Sequence, residues 1–141
     1  MVALSLSVVV APLTSQNIST HSGVLIEDVA ARMTLMSNMG VLGIMLKKKA
    51  PFDQGKAVEA INKIEQLAYD TGKVFDKKVL DSQSEAKKLV WKDFKSFAKI
   101  ATDFAASAKR VSSSMKSFRD LPPALITLSE GCKEYHSRFR E

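Results

Sequence analysis

The side chains best suited to chemistry lie near the end of the chain, where Cys132 and His136 are four residues apart. This spacing puts two side chains on the same face of a helix, one turn apart. Apolar and aromatic residues around them recur at steps of three and four, and the predicted inward face carries Leu125, Leu128, Cys132, Tyr135, His136 and Phe139. An inward imidazole can bind a metal ion, but one imidazole does not make a metal site, and an inward His is also common as a core residue. The pattern alone leaves both interpretations open.

Residues 131–140 resemble the C-terminal haem-attachment motif of the cytochrome c' family, Cys-x-x-Cys-His-x-x-(Phe/Tyr)-Arg. Tyr135 stands where that motif has its second cysteine. Residues 135–140 equally resemble the ending of the soluble periplasmic four-helix b-type cytochromes, Tyr-His-x-(Lys/Arg)-(Tyr/Phe)-Arg, which hold haem without thioether bonds. The chain is therefore identified as a divergent member of this haem-binding superfamily.

The resemblance implies that five residues contact a haem. His136 would bind the iron, Tyr135 would lie beside it, and Arg140 would pair with a propionate. Arg32 falls on the family's distal position when the first helix is aligned without gaps. Because haem-attachment machinery generally reads both cysteines, the resemblance implies noncovalent haem b, with a single thioether to Cys132 as the alternative.

A methionine of the first helix is the sixth iron ligand that low-spin relatives imply, since a thioether is a soft, neutral ligand. Met33 is the first candidate, Met36 the second and Met39 the third. Methionines at steps of three are also typical of a Met-rich core helix. The alternative is a five-coordinate iron with Arg32 or an apolar residue over its open face.

Four helices must position these residues. Apolar periodicity and end signals predict helices over residues 23–48, 54–69, 86–115 and 121–140. Pro51 is expected to stop the first helix and Gly72 the second, and residues 73–85 form the longest connection. The first helix is expected to bury a stripe that includes Met33 and Met36. The prediction is an all-α protein, an antiparallel up-down-up-down four-helix bundle that builds a cofactor site from facing side chains.

Composition sets the class and the expected partners. The chain has 141 residues, 45% apolar and 26% charged, as in a single globular domain. The net charge of +6 comes from lysines spread over helix surfaces, without the interleaved aromatics of a nucleic-acid surface. A basic surface suits an acidic redox partner protein. We expect a monomer or homodimer, no nucleic acid and no stable membrane insertion.

The first 22 residues are expected to form a signal segment and polar leader, because an apolar run too short to span a bilayer precedes a polar stretch. Residues 23–141 are then the haem-binding bundle, and the expected location is the periplasm.

The function expected from these observations is electron transfer by a haem protein rather than enzymatic catalysis. His21 and His136 are the only histidines, so the sequence offers no acid–base pair or nucleophile constellation. Two alternatives remain. One is a five-coordinate haem protein that binds small gases, and the other is a haem-free bundle that has lost its cofactor.

Overall fold

A computed structural model describes the backbone of residues 20–74 and 89–139. Within these residues the chain forms helices and no strand. The helices are α1 (Thr20–Leu46), α2 (Gln54–Val74), the short α3 (Leu89–Lys92), α4 (Phe94–Ser114) and α5 (Leu121–Phe139), with a 3-10 turn at Phe118–Asp120. The four long helices pack as an antiparallel up-down-up-down bundle, in which α1 and α4 each lie between α2 and α5. This confirms the predicted fold class.

The first helix ends before Pro51, at Leu46, because the backbone turns at Lys48. Lys48 adopts a left-handed conformation with φ 55°. Its amide donates to the carbonyl of Met45 at 2.9 Å, and the amide of Lys49 donates to that of Ile44 at 3.0 Å. These two hydrogen bonds form a Schellman motif, the C-terminal helix cap that usually has glycine at the left-handed position. The predicted end at residue 48 was therefore two residues too late.

The second helix continues through Gly72 to Val74, so the predicted stop was wrong. A glycine ends a helix when it takes a positive φ, and none of the glycines in the described ranges does so.

The predicted third helix is interrupted at Asp93. This residue has non-helical angles of φ −129° and ψ 55°, and its carboxylate accepts a hydrogen bond from the backbone amide of Ser96 at 3.3 Å. Asp93 is therefore the N-cap of α4, and α3 is a separate turn of helix before it. Residues 86–88 of the predicted helix lie outside the described residues.

Two clusters of buried side chains hold the bundle together. The larger contains the fully buried Leu42, Ile61, Ile64, Leu121 and Leu128. The smaller contains Val90, Phe97, Ile100 and Phe139, with the half-buried Tyr135 packed against it. The second cluster surrounds the last turns of α5, the helix that carries Cys132 and His136.

Helix α1 buries a different stripe from the one expected. Asn38, Leu42 and Met45 are buried, whereas Met33 is 66% and Met36 74% exposed. Both faces of this helix carry apolar side chains, so periodicity predicted its phase wrongly.

In the described parts of the chain, no helix has the length and apolar character needed to cross a bilayer. The predicted signal segment lies outside the described residues except where α1 begins at Thr20.

Candidate functional site

A cleft opens between the four long helices, close to the C-terminal half of α5. The space between the helices is about 680 Å³, counting the part open to solvent. Each long helix contributes three residues to its lining. These are Ala31, Arg32 and Leu35; Leu67, Ala68 and Thr71; Ile100, Ala101 and Phe104; and Cys132, Tyr135 and His136. The cleft is thus mostly apolar, with its titratable groups on α5 and at Arg32.

Helix α5 brings together three of the predicted site residues. Cys132, Tyr135 and His136 are all half-buried and all line the cleft. Burial raises the pKa of the Cys132 thiol, because the thiolate loses hydration in apolar surroundings. The sulfur is therefore a protonated thiol at neutral pH rather than a reactive thiolate.

Aromatic side chains pack around the end of α5, beside His136. The Phe97 ring packs edge to face on Phe139, with 5.3 Å between centroids, and lies 5.6 Å from the Tyr135 ring. The rings of Tyr135 and His136 are also 5.6 Å apart. Arg138 Nη2 lies 3.9 Å from Asp93 Oδ2, which links the same turn to the start of α4. The side chain at the second-cysteine position thus packs in an aromatic cluster.

Phe104 forms one wall of the cleft and rests directly on the backbone of α5 at Gly131. A Cβ atom at position 131 would come within 2.8 Å of Phe104 Cε2 and closer still to Cδ2, so only glycine admits the ring in this position. Sequence reasoning missed Phe104 as a site residue. Gly131 could have indicated this contact from the sequence. Glycine inside a helix costs about 1 kcal/mol relative to alanine, so its presence there suggests that a neighbouring side chain packs closely against the backbone.

Helix α1 turns Arg32 and Leu35 to the cleft, three residues apart on one face. The Arg32 side chain is half-buried and its Nε is shielded from solvent. Met33 and Met36 do not line the cleft and are largely exposed, because each step along a helix rotates the side chain by about 100°. The arrangement does not support the methionine ligand expected at Met33 or Met36.

A second, shallower depression lies on the other side of Cys132 and His136. Its lining consists of Met39, Ser129, Cys132, Lys133, His136 and Ser137. Met39, the third methionine candidate, is half-buried there rather than in the main cleft. Arg140 lies outside the described residues, so its predicted contact with a propionate stays a prediction.

The residues of the main cleft fit a haem. A haem presents a flat apolar ring and an iron that accepts an axial imidazole. The cleft offers apolar walls from all four long helices, with the His136 imidazole and the Cys132 thiol one turn apart on the same wall. No carboxylate is among the residues that line this described cleft.

Comparison with known proteins agrees with this geometry. The family model described as Cytochrome C' matches residues 26–140. The chain belongs to the cytochrome c' family. It is 31% identical over 125 residues to cytochrome c' of Rubrivivax gelatinosus, covering 82% of this chain and 93% of the relative. It is 27% identical over 109 residues to cytochrome c-556 of Rhodopseudomonas palustris, and the match covers 74% of this chain and 73% of the relative.

Solved cytochrome c' structures share the fold. Cytochrome c' from Rhodopseudomonas palustris superposes with a TM-score of 0.78 at 21% identity, over 84% of this chain and 96% of that one. Family membership confirms the resemblance seen in residues 131–140 and makes the chain a haem protein of the cytochrome c' family. The relatives carry c-type names, which lend no support to the predicted noncovalent haem b.

Proposed function

We propose that the chain binds one haem in the main cleft, with the His136 imidazole on the iron and the other axial position open to a small ligand. The observation that carries this proposal is the composition of the cleft. His136 shares it with Arg32 and Leu35 of α1, whereas Met33 and Met36 are largely exposed. Neither an arginine nor a leucine side chain ligates iron, so the site favours small-ligand binding over a permanent pair of axial ligands.

The haem is attached through one thioether bond to Cys132. Cys132 lines the cleft one turn before His136, and it is the only cysteine of the chain. Its thiol would supply the attachment by adding across a haem vinyl group. The Sγ–carbon bond would replace the vinyl π bond and the thiol hydrogen would end on the neighbouring carbon, so no oxidant would be needed. Tyr135 replaces the second attachment point with a ring packed on Phe97.

The remaining residues of the cleft hold the ring and keep water out. Leu67, Ile100 and Phe104 supply apolar surface from α2 and α4, whose contact with the flat ring is favourable because it removes both from water. Haem supplies the iron that binds a diatomic gas or carries one electron.

Visible spectroscopy of the haem-loaded protein tests the proposal. A five-coordinate iron gives a broad, high-spin spectrum, whereas sharp reduced bands would indicate a second axial ligand and overturn the open site. His136→Ala is expected to abolish haem binding while the circular dichroism of the bundle is retained. Ser137→Ala is the matched control, since Ser137 is the exposed neighbour of His136. Haem content unchanged in His136→Ala would contradict the assignment.

Electron transfer is the second candidate function. It is favoured by the net charge of +6, because a basic surface speeds encounter with an acidic redox partner protein. Salt would then slow electron exchange with such a partner, whereas the binding of an uncharged gas would respond little to salt. No effect of ionic strength on the exchange rate would count against this candidate.

The periplasm is the location we propose, with residues 1–22 as an export signal, on the strength of the short apolar run and the polar stretch that follows it. Cell fractionation and N-terminal sequencing of the mature protein test this. Recovery in the cytoplasm with residues 1–22 intact would contradict it. We propose a monomer or homodimer, which sedimentation of the haem-loaded protein would decide.

A further inference from the structure

We propose that one end of the bundle docks on an anionic phospholipid surface. This basic end consists of residues 47–59 and 109–120, which cover the link between α1 and α2, the start of α2, the end of α4 and the turn before α5. Its eight basic and three acidic residues give it a net charge of +5, out of +6 for the whole chain. The other described ranges hold equal numbers of basic and acidic residues. The inference goes beyond the proposed function and does not depend on haem.

Contacts between the two segments hold the basic end together. The Lys48 ammonium lies 5.7 Å from the centroid of the Phe118 ring, and the side-chain amide of Gln54 donates to the backbone carbonyl of Met115 at 3.1 Å. The half-buried rings of Phe52 and Phe118 both pack against the larger core cluster. Basic residues from two distant parts of the sequence therefore share one surface.

The positive charges of the basic end face solvent. All eight basic residues are exposed. Within the described residues, the ion pair that involves one of them joins Lys56 Nζ to Asp53 Oδ2 at 3.6 Å. The Asp120 carboxylate instead accepts hydrogen bonds from the backbone amides of Lys116 and Ser117, at 3.0 and 2.7 Å. Most of the positive charge is thus available to an external anionic surface.

The residue types favour a lipid surface over an acidic protein. Protein interfaces are depleted in lysine and depend on a few buried aromatic or apolar anchors. Six of the eight basic residues are lysines, and none of the large apolar residues exposed in the described chain lies within residues 47–59 or 109–120. Clusters of about four to eight lysines or arginines bind anionic headgroups by charge attraction, without a shaped pocket.

Docking by the basic end would leave the haem cleft open to solution. Helix α5 starts at Leu121, next to the basic end, and rises by about 22 Å before it reaches His136. Small ligands and soluble partners would therefore still reach the cleft while the protein is held at the lipid surface.

Cosedimentation of the full chain with lipid vesicles tests the proposal. Vesicles of phosphatidylcholine alone are compared with vesicles of equal parts phosphatidylcholine and phosphatidylglycerol, at low salt and at about 0.15 M salt. The test variant carries Lys47→Gln and Lys49→Gln, and it keeps Lys48 because that residue has a left-handed backbone and contacts a ring. The matched control carries Lys92→Gln and Lys95→Gln, which remove the same charge from exposed residues outside the basic end.

The parent is expected to bind the anionic vesicles at low salt, to bind them more weakly at 0.15 M salt, and to leave phosphatidylcholine vesicles largely unbound. The test variant should bind the anionic vesicles about 10- to 30-fold more weakly, the effect of two lysines near such a surface, and the control should lose clearly less.

Four results would overturn the proposal. Equal binding of the parent to both kinds of vesicle would mean that charge does not drive it. Unchanged binding in the test variant would place the contact elsewhere on the chain, and equal weakening in both variants would make total charge responsible rather than the basic end. Binding to immobilised poly-glutamate without binding to anionic vesicles would assign the basic end to an acidic protein, and binding to neither would make it a solvated surface only.

Discussion

Replacing Gly131 with alanine tests two opposing effects on stability, the higher helix propensity of alanine and the clash of its Cβ with Phe104. Alanine in a helix is favoured over glycine by about 1 kcal/mol, so the substitution would stabilise α5 if nothing lay nearby. The new Cβ would instead come within 2.8 Å of Phe104 Cε2, and forcing extra atoms into a packed site costs about 1–3 kcal/mol. If the ring stays in place, the free energy of unfolding falls by up to about 2 kcal/mol, the difference between these effects.

The ring has an alternative, because the cleft beside it is open. If Phe104 rotates into that space, the clash is relieved and the stability of the haem-free protein is retained, but the ring then occupies volume that the haem needs. The expected result of Gly131→Ala is therefore a loss in unfolding free energy, a loss in haem affinity, or both. Urea unfolding of the haem-free chain and haem titration measure the two separately.

Gly40→Ala is the matched control. Gly40 is an exposed glycine of α1, and a Cβ added there meets nothing within 4 Å. This variant should gain about 0.5–1 kcal/mol in stability with haem affinity unchanged. If Gly131→Ala behaves like Gly40→Ala in both measurements, the contact between Phe104 and α5 does not shape the site.

Three further predictions address the core, the α4 cap and the attachment of haem. Leu128→Ala should lower the free energy of unfolding by about 2–5 kcal/mol because Leu128 is fully buried, whereas Ile126→Ala on the exposed face of α5 should change it by less than about 0.5 kcal/mol; similar urea midpoints would contradict this. Hydrogen bonds to Ser96 lower the pKa of Asp93 in the folded protein. The carboxylate therefore stabilises the fold fully above its unfolded-state pKa, and this stabilisation is lost as the pH falls through its folded-state pKa. Asp93→Asn keeps a capping oxygen and should show a shallower loss of stability below neutral pH, and an identical pH profile would count against the carboxylate. Cys132→Ser should release its haem to acid-acetone while the parent retains it; extraction from both would indicate noncovalent binding.

The bundle and the α5 side of the site were predictable because α5 separates its faces clearly. Leu121, Leu128 and Phe139 are fully buried, and their spacing sets the phase that also turns Cys132 and His136 inward. Helix ends were less predictable. At Asp93 the capping hydrogen bond depends on backbone angles, and an aspartate in a helical pattern does not by itself reveal whether it caps or continues the helix.

The α1 side of the site was not predictable from periodicity, because that helix is apolar on both faces, although the family resemblance had already pointed to Arg32. Met33, Met36 and Ile44 are exposed, although their side chains are as apolar as those in the core. A pattern of this kind is compatible with more than one helical phase. Contacts with the other helices select the phase, and contacts between distant residues are not visible in local periodicity.

The packing of α1 therefore bears on the open axial position that we propose for the iron. Bringing Met33 to the position of Arg32 would require a rotation of α1 by about 100°. That rotation would take Leu42 and Met45, which are 0% and 4% exposed, out of the core. Exposing two such side chains costs about 1.5–3 kcal/mol each, before any loss of their packing partners. A neutral thioether ligand would have to outweigh this cost, whereas an open site with Arg32 beside it leaves the core of the bundle as it is.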